Sequence, residues 1–364
     1  MTQTNLAALA AMSNRYGANP DFVLAGGGNT SYKDETTLYV KGSGTALATI
    51  RPEEFVQLDR ALLHRIRTKK YSDVEAECEA QVLADMMGAR LPGQTRRPSV
   101  ETVLHDLLQW RFVLHLHPAA VNGITCSRQG EQTIAQLFPD AVWVPNSKPG
   151  YTLAMLCMRL LSQRQAETGA CPQLIFLENH GVFFAADTTE EIDALVERVM
   201  GAIRARITRQ PDFSEVPVDM EKVHTIGRLL QQQCAQPTYL TFLTSPAVLE
   251  YDPCVGCFTP DHIVYCKAQP LVLREGADIA WSFDAYRQTC GYEPRIAYCE
   301  GLGVFALGSS RKNSETAMDV FLDGVKISVY ADSFGGLSTM PEWLVHFIVN
   351  WEVESYRAKV SQGS

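Results

Sequence analysis

The chain has 364 residues, of which 46% are hydrophobic, and its formal net charge is −9. A chain of this length can form one large domain or two ordinary ones, each with a substantial core. The negative charge and the lack of a basic patch argue against nucleic acid as a partner and against electrostatic attraction to anionic membranes.

Three further features predict a cytoplasmic protein. The N-terminal segment, residues 1–11, lacks the basic start and the long apolar run of a signal peptide. No stretch approaches the roughly 18 apolar residues of a membrane span. The ten cysteines follow no disulfide framework, which is typical of reduced thiols in a reducing compartment.

The first hundred residues predict helices and short strands around glycine-rich turns. In chain order we expect a helix over 4–16, a GGGNTS turn at 26–31, a strand at 37–41, a GSG turn at 42–44, and helices from Pro52 to about Arg67 and over 74–87. Pro98 and Ser99 open a further helix. That helix carries Glu101 and His105 on one face, because they are four residues apart.

His115 and His117 lie in an apolar segment that predicts a strand, where residues two apart point to the same face. His180 follows a second predicted strand at 174–177 and precedes Gly181. Three imidazole nitrogens with one open position form the ligand set of a catalytic zinc site. His105 could be a fourth ligand or an orienter of Glu101; a packing or capping role is favoured.

The second half contains an echo of the first. The segment around Glu178, residues 175–183, resembles residues 297–305, and each copy is followed by a short turn and a helix. Leu302 replaces the histidine of the first copy, which indicates a degenerate, metal-free repeat. A capping box of Thr188 and Glu191 begins the helix after the first copy. Strands alternate with helices throughout, so the fold class is α/β or α+β.

Two other motifs receive a structural interpretation. Residues 301–306 match the dinucleotide pattern G-x-G-x-x-A, but residues 304–307 predict a continuing strand, and the helix is expected only near Ser310. In a dinucleotide site the helix begins within the glycine run, so nucleotide binding is disfavoured. Cys254 and Cys257 form a single C-x-x-C pair without a partner pair, which is a weak metal signal.

Taken together, these segments resemble the class II aldolase/adducin family. The likeness rests on five motifs in order: GNTS at 28–31, KGSG at 41–44, PSVE at 98–101, HLHP at 115–118 and ENHG at 178–181. It is closest to the aldolase half of two-part proteins that join a rhamnulose phosphate aldolase to a short-chain dehydrogenase, and it extends more weakly through TPDH at 259–262. The chain ends where the dehydrogenase would begin, so we expect the aldolase part alone.

The resemblance implies an α/β/α sandwich around an antiparallel sheet, followed by a smaller degenerate aldolase-like region. We expect a metal and sugar-phosphate domain over 1–210, a linker and helix over 211–236, and the repeat-like region without metal ligands over 237–364. The resemblance also implies a homo-oligomer, a tetramer in the family. A donor tyrosine from a neighbouring subunit, present in some members, has no matching position; Tyr151 is near but does not match.

The resemblance further implies Zn²⁺ held by His115, His117 and His180, although Mn²⁺, Co²⁺ and Fe²⁺ also accept imidazole. The metal would act as a Lewis acid that stabilises an enediolate, and Glu101 would be the general base and acid. A terminal phosphate would be bound by glycine-rich turns and hydroxyl groups, a set that comprises Gly28, Asn29, Ser31, Ser43, Gly44 and Ser99. Val100 stands where many phosphate-using members have a second serine. Lys41 could compensate by charge, or it could be a solvated strand end.

The predicted function is therefore a metal-dependent aldolase that cleaves a ketose 1-phosphate to dihydroxyacetone phosphate and an aldehyde. Relatives with the same scaffold are epimerases, decarboxylases or dehydratases of sugar phosphates, and these stay open. A non-enzymatic, adducin-like scaffold is the alternative from another class. That alternative predicts lost metal ligands, whereas all three candidates are present here.

Overall fold

The computed structural model describes residues 2–351, which form two compact units. Within the described residues, the first unit comprises residues 2–121 together with Gly130–Ala205, and the second comprises Asn122–Gln129 and residues 206–351. Residues 352–364, the end of the predicted third region, lie outside the described part.

The first unit contains seven strands and the helices that cover them. Its elements are α1 (Thr2–Gly17), β1 (Asn29–Lys33), β2 (Thr37–Val40), β3 (Val56–Asp59), α2 (Arg60–Thr68), α3 (Glu75–Gly88), α4 (Thr102–Leu107), β4 (Phe112–Leu116), α5 (Ala119–Thr125, which ends in the second unit), α6 (Gly130–Leu137), β5 (Val142–Val144), α7 (Tyr151–Thr168), β6 (Leu174–Leu177), β7 (Gly181–Ala186) and α8 (Thr189–Arg204).

These strands form one sheet in the order β3-β2-β1-β4-β7-β6-β5. Every neighbouring pair is antiparallel except β5 and β6. Helices α1 and α8 contact one another and pack on β1, β4 and β7, while α2, α4 and α7 form a second group that packs on β2, β3 and β5. The mixed α/β architecture around a mainly antiparallel sheet confirms the predicted fold class.

The prediction for residues 52–67 is wrong in part. The helix expected from Pro52 to Arg67 is a short turn at Pro52–Glu54, then strand β3, then helix α2. Val56 and Leu58 are buried while their neighbours in the strand are partly exposed, which is the alternation of an edge strand. Asp59 then caps α2, because its carboxylate accepts from the backbone N–H groups of Ala61 and Leu62.

The second unit is built on a four-stranded sheet. Its remaining elements are α9 (Met220–Gln233), β8 (Tyr239–Leu243), α10 (Pro246–Glu250), α11 (Pro260–Cys266), β9 (Leu271–Leu273), α12 (Ile279–Cys290), β10 (Ile296–Cys299), β11 (Gly303–Gly308), α13 (Arg311–Ala331) and α14 (Glu342–Asn350). Helix α9, which the sequence analysis set apart with the linker, packs on β8 and α12. Its Val223 and Leu230 belong to a core with Phe283 and Phe305.

The second sheet repeats four of the seven strands of the first. Its order is β8-β11-β10-β9, with only β9 and β10 parallel. The first sheet contains β4-β7-β6-β5, with the same succession of strands along the chain and only β5 and β6 parallel. Helices α12 and α13 occupy the chain positions of α7 and α8. The echo seen in the sequence is therefore one hairpin of a larger repeated arrangement.

The dinucleotide alternative does not fit the second unit. Strand β11 continues through Gly308, and α13 begins at Arg311 with Ser310 as its N-cap, as the sequence predicts. All ten cysteines lie in the described part, and none of them forms a disulfide bond. The described residues include no helix with both the length and the apolar character that crossing a membrane requires.

Candidate metal centre

Strand β4 delivers the first two histidines to one place. In the register of the sheet His115 lies opposite Asn29 of β1 on one side and Phe183 of β7 on the other. The His115 ring is fully buried and stacks on the Phe183 ring, with centroids 3.9 Å apart. Its Nδ1–H donates to the carbonyl oxygen of Val182 at 3.0 Å, which fixes the tautomer and leaves the lone pair of Nε2 available to a metal ion.

The third histidine is placed by the turn between β6 and β7. Asn179 adopts a left-handed conformation with φ +53°, a region that asparagine tolerates better than most residues. Its side-chain oxygen accepts from Asn146 at 3.0 Å, which holds the turn. Gly181 follows, and a Cβ there would lie 2.4 Å from the carbonyl oxygen of Leu116. The turn therefore brings His180 against the end of β4.

The three imidazoles fit one divalent ion. The Nε2 atoms of His115 and His117 are 2.9 Å apart, and the ligand nitrogens of all three histidines lie within 4.8 Å of one another. Nitrogens bound to one tetrahedral zinc are separated by about 3.3 Å, given Zn–N bonds of roughly 2.0–2.1 Å. The structure brings together the three residues that the sequence analysis selected as ligands.

Glu101 faces this ligand set from the adjacent loop. The residue is 5% exposed, and its Oε1 lies 3.5 Å from His115 Nε2 and 3.8 Å from His180 Nε2. Oε2 accepts a hydrogen bond from Asn29 Nδ2 at 2.5 Å, whereas Oε1 has no hydrogen-bond partner. A buried carboxylate oxygen without a donor is costly, so the position of Oε1 fits a cation, a water or a proton-bearing substrate group.

His105 lies behind Glu101, and both of its ring nitrogens are bonded. Nδ1 is 2.7 Å from the hydroxyl of Ser31, and Nε2 forms a short hydrogen bond with Asn29 Oδ1. Burial lowers the pKa of His105 well below its usual value, with smaller contributions from Lys33 and His115, so the ring is neutral. Asn29 and Ser31, which were predicted to bind phosphate, therefore form hydrogen bonds with side chains of the protein: Asn29 with Glu101 and His105, and Ser31 with His105. Ser31 is fully buried, and Asn29 keeps one amide hydrogen for another acceptor.

The other predicted phosphate residues lie on loops that the structure joins. Ser43 N–H donates to the carbonyl oxygen of Arg97 at 2.8 Å, and Ser99 N–H donates to that of Lys41 at 3.1 Å. Lys41 is buried, and its ammonium donates to the carbonyl oxygens of Gly26 and Gly28 at 3.1 and 2.8 Å. Lys41 thus ties the glycine-rich turn in place, a role that the sequence analysis did not assign.

One detail near the site differs from the sequence-based prediction. Ser99 does not begin a helix, because α4 starts three residues later, at Thr102. The Ser99 hydroxyl instead accepts from the backbone N–H of Glu101 at 3.3 Å and so supports the loop that carries the carboxylate. Tyr151, at the start of α7, packs edge-on against Tyr71 with ring centroids 5.2 Å apart.

The fold and the site together define an α/β protein with a buried carboxylate beside three imidazoles that fit one divalent ion. Residues 7–207 match the family described as Class II Aldolase and Adducin N-terminal domain, and the chain belongs to this family.

Comparison with known proteins also finds a longer relative. The chain is 25% identical over 412 aligned positions to a Bacillus subtilis (strain 168) protein named "Uncharacterized oxidoreductase YuxG". The match covers 95% of this chain but only 57% of that relative.

Among solved structures, a class II aldolase domain from Thermoplasma acidophilum is 28% identical, with a TM-score of 0.45, over 54% of this chain and 91% of that one. An L-fuculose-1-phosphate aldolase from Thermus thermophilus is 15% identical, with a TM-score of 0.37, over 56% and 94%.

Proposed function

We propose that this protein is a metal-dependent aldolase, a carbon–carbon lyase that cleaves a ketose 1-phosphate to dihydroxyacetone phosphate and an aldehyde. The observation that carries the proposal is the unpartnered Oε1 of Glu101, 3.5 Å from the nearest nitrogen of a convergent set of three imidazoles. Membership of the class II aldolase family supports the same chemistry.

His115, His117 and His180 would hold the metal, for which zinc is the first candidate. When bound, the ion supplies a Lewis acid where negative charge develops during carbon–carbon cleavage. The neutral imidazoles leave the charge of the ion intact, and the burial of His115 strengthens electrostatic interactions by excluding water.

Glu101 would move the proton. Its Oε2 is occupied by Asn29, so Oε1 is the atom that accepts a proton from the substrate hydroxyl and returns it to the product. Because the carboxylate is 5% exposed, bulk water does not compete for that proton.

The substrate phosphate would be bound by the joined loops described above, through Gly28, Ser43, Gly44 and Ser99. Gly28 and Gly44 have φ values of +64° and +81°, conformations in which backbone N–H groups of tight turns can converge on an anion. Asn29 can contribute its second amide hydrogen, whereas the fully buried Ser31 is left out of the proposed phosphate site.

Two alternative functions, a non-enzymatic scaffold and an oxidoreductase, receive less support. The retained ligand set disfavours a purely non-enzymatic scaffold. The word oxidoreductase in the name of the Bacillus subtilis relative is not carried over, because this chain spans 57% of that protein and its glycine pattern at 301–306 lies at the start of a strand.

The proposal is tested by incubating the zinc-loaded protein with a panel of ketose 1-phosphates and measuring the release of dihydroxyacetone phosphate with a coupled reductase. We expect release with at least one ketose phosphate and none after chelation. An epimerised or dehydrated product without dihydroxyacetone phosphate would reassign the reaction on the same site. A zinc-loaded protein that transforms no member of the panel would contradict the proposal.

A further inference from the structure

We propose that His105 is a positioning residue that acts through Asn29 to fix the orientation of the Glu101 carboxylate. Its catalytic consequence rests on the proposed function, but the hydrogen-bonded chain itself does not. The chain runs from the Ser31 hydroxyl through the His105 ring and the Asn29 amide to Oε2 of Glu101.

The direction of each hydrogen bond follows from the carboxylate end. An ionised carboxylate only accepts, so the Asn29 atom that faces Oε2 must be the amide nitrogen. The amide oxygen of Asn29 then faces His105 and requires a donor, which places the ring proton on Nε2. Nδ1 is left as an acceptor for the Ser31 hydroxyl at 2.7 Å. Every atom in the chain therefore has one compatible role.

The opposite orientation of the amide would break the chain at Glu101 and reverse the roles of the two His105 nitrogens. A flipped Asn29 would turn its oxygen toward Oε2, where two acceptors would repel each other at 2.5 Å. It would also present an N–H to His105 and force the proton onto Nδ1. The tautomer of His105 thus reports the orientation of Asn29, and through it the way Glu101 is held.

Burial makes this chain effective. His105 and Ser31 are both fully buried, so water cannot replace either hydrogen bond. The His105 ring packs edge-on against Phe183, at a centroid distance of 5.5 Å, and Phe183 stacks on His115. Lys33 Nζ donates to the backbone carbonyl oxygen of His105 at 2.6 Å and anchors α4. The ring is therefore held independently of Glu101.

The consequence for Glu101 is a choice between its two oxygens. Oε2 is committed to Asn29, and Oε1 is turned toward the imidazoles. Without His105, the Asn29 amide could rotate, and the carboxylate would no longer present one defined oxygen to the site. Groups that orient a reacting side chain in this way typically change activity about 10- to 100-fold when they are removed.

The second unit supplies a matched control. His262 is 7% exposed, and its Nδ1 lies 2.8 Å from the hydroxyl of Thr259, much as His105 is paired with Ser31. His262 belongs to the second unit, whereas Glu101 and the three imidazoles belong to the first. Replacing it tests the general effect of removing a buried, hydroxyl-bonded histidine.

The direct experiment is ¹⁵N NMR of the metal-free, histidine-labelled full chain, with His105→Gln used to assign the signal. We expect His105 to be neutral, with the proton on Nε2 and slow exchange with water. A proton on Nδ1, or a ring that titrates as a solvated histidine, would overturn the proposal. This measurement uses no substrate and needs no variant to remain active.

The side-chain amide of Asn29 is the second readout. Its resonances should shift in His105→Leu and return toward the wild-type position in His105→Gln, because a carboxamide offers one donor and one acceptor side by side. His262→Leu should leave them unchanged. Unchanged Asn29 resonances in a folded His105→Leu protein would overturn the proposal. If that variant does not fold, the proposal is still decided by the Asn29 resonances of Ser31→Ala and by the tautomer of His105 in the wild-type protein.

Kinetics tests the functional consequence. We expect His105→Leu to lower kcat about 10- to 100-fold with little change in KM or zinc affinity, and His105→Gln to recover most of the loss. His262→Leu should retain the wild-type kcat. A wild-type protein without lyase activity would contradict the proposed function alone. If the wild-type protein is active and His105→Leu has the same kcat, this inference is wrong.

Discussion

Gly181 is the position where the fold and the ligand set constrain each other most tightly. An added Cβ in Gly181→Ala would lie 2.4 Å from the carbonyl oxygen of Leu116, 2.7 Å from Cδ2 of His117 and 3.4 Å from Cε1 of His115, where ordinary contacts are 3.4–4 Å. The first of these atoms belongs to the backbone of β4, which cannot rotate away. The methyl group would therefore push β7 from the strand that carries two ligands.

The size of the effect follows from this overlap. A methyl group that intrudes by about 1 Å on a packed backbone costs roughly 1–3 kcal/mol of unfolding free energy. A displaced His117 would also no longer meet the other two imidazoles at bonding distance. We expect the zinc affinity of Gly181→Ala to fall at least about 10-fold, as for other changes that misplace a metal ligand.

Gly303→Ala is the control, because the repeat supplies the same contact without the ligands. A Cβ at Gly303 would lie 2.6 Å from the carbonyl oxygen of Leu243 and 2.9 Å from the Cβ of Thr244, and the backbone φ of +140° adds strain. This variant should lose at least as much stability as Gly181→Ala and keep the wild-type zinc affinity.

The assay combines urea unfolding with zinc titration against a chromophoric chelator. Gly181→Ala should move both measurements, and Gly303→Ala should move only the first. Wild-type zinc affinity in a destabilised Gly181→Ala protein would refute the argument that the hairpin positions His117. An equal loss of zinc affinity in Gly303→Ala would show that the effect is general destabilisation.

Three further predictions follow from the same site. His115→Ala and His180→Ala should each abolish stoichiometric zinc binding, and one equivalent retained by both would remove them from the ligand set. Glu101→Gln should bind zinc normally, yet turn over about 100-fold more slowly or worse; near-normal turnover would exclude Glu101 as the base. Burial lowers the pKa of Lys33 from 10.5 to about 7. Above pH 7 the unfolded chain therefore binds more protons at this residue than the folded chain does, and the contribution of Lys33 to the free energy of unfolding rises with pH. The slope between about pH 7 and pH 8.5 should be smaller in Lys33→Met, since both proteins share the opposing contribution of buried thiols.

The three histidines could be selected from the sequence because each lies in a short local pattern that predicts its position. Two of them share one face of an apolar strand, and the third precedes a glycine, so each pattern predicts its own geometry. The convergence of the three still depended on the antiparallel pairing of β4 with β7, which the structure supplies. The sequence therefore predicts which three residues are the candidate ligands, whereas their relative positions follow from the pairing of the strands in the sheet.

The roles of Asn29, Ser31 and His105 could not be predicted in the same way. A glycine-rich turn followed by Asn and Ser is typical of anion binding, and nothing in the local pattern shows that these side chains bond to α4. Their partners are set by the pairing of β1 with β4 and by the packing of α4, which join residues more than seventy positions apart. Strand β3 was missed because Pro52 is equally compatible with a helix start and with a turn before a short strand.

The repeat allows the strand arrangement around the three histidines to be compared with a copy that lacks them. Matching the strands of the two sheets places Phe242, Thr244 and Leu302 at the positions of His115, His117 and His180. The second sheet thus has the same strand arrangement without the histidines, and the rings of Phe242 and Phe305 pack where His115 stacks on Phe183 in the first sheet. Placing histidine at all three positions would test whether this strand arrangement alone is sufficient to bind a metal ion.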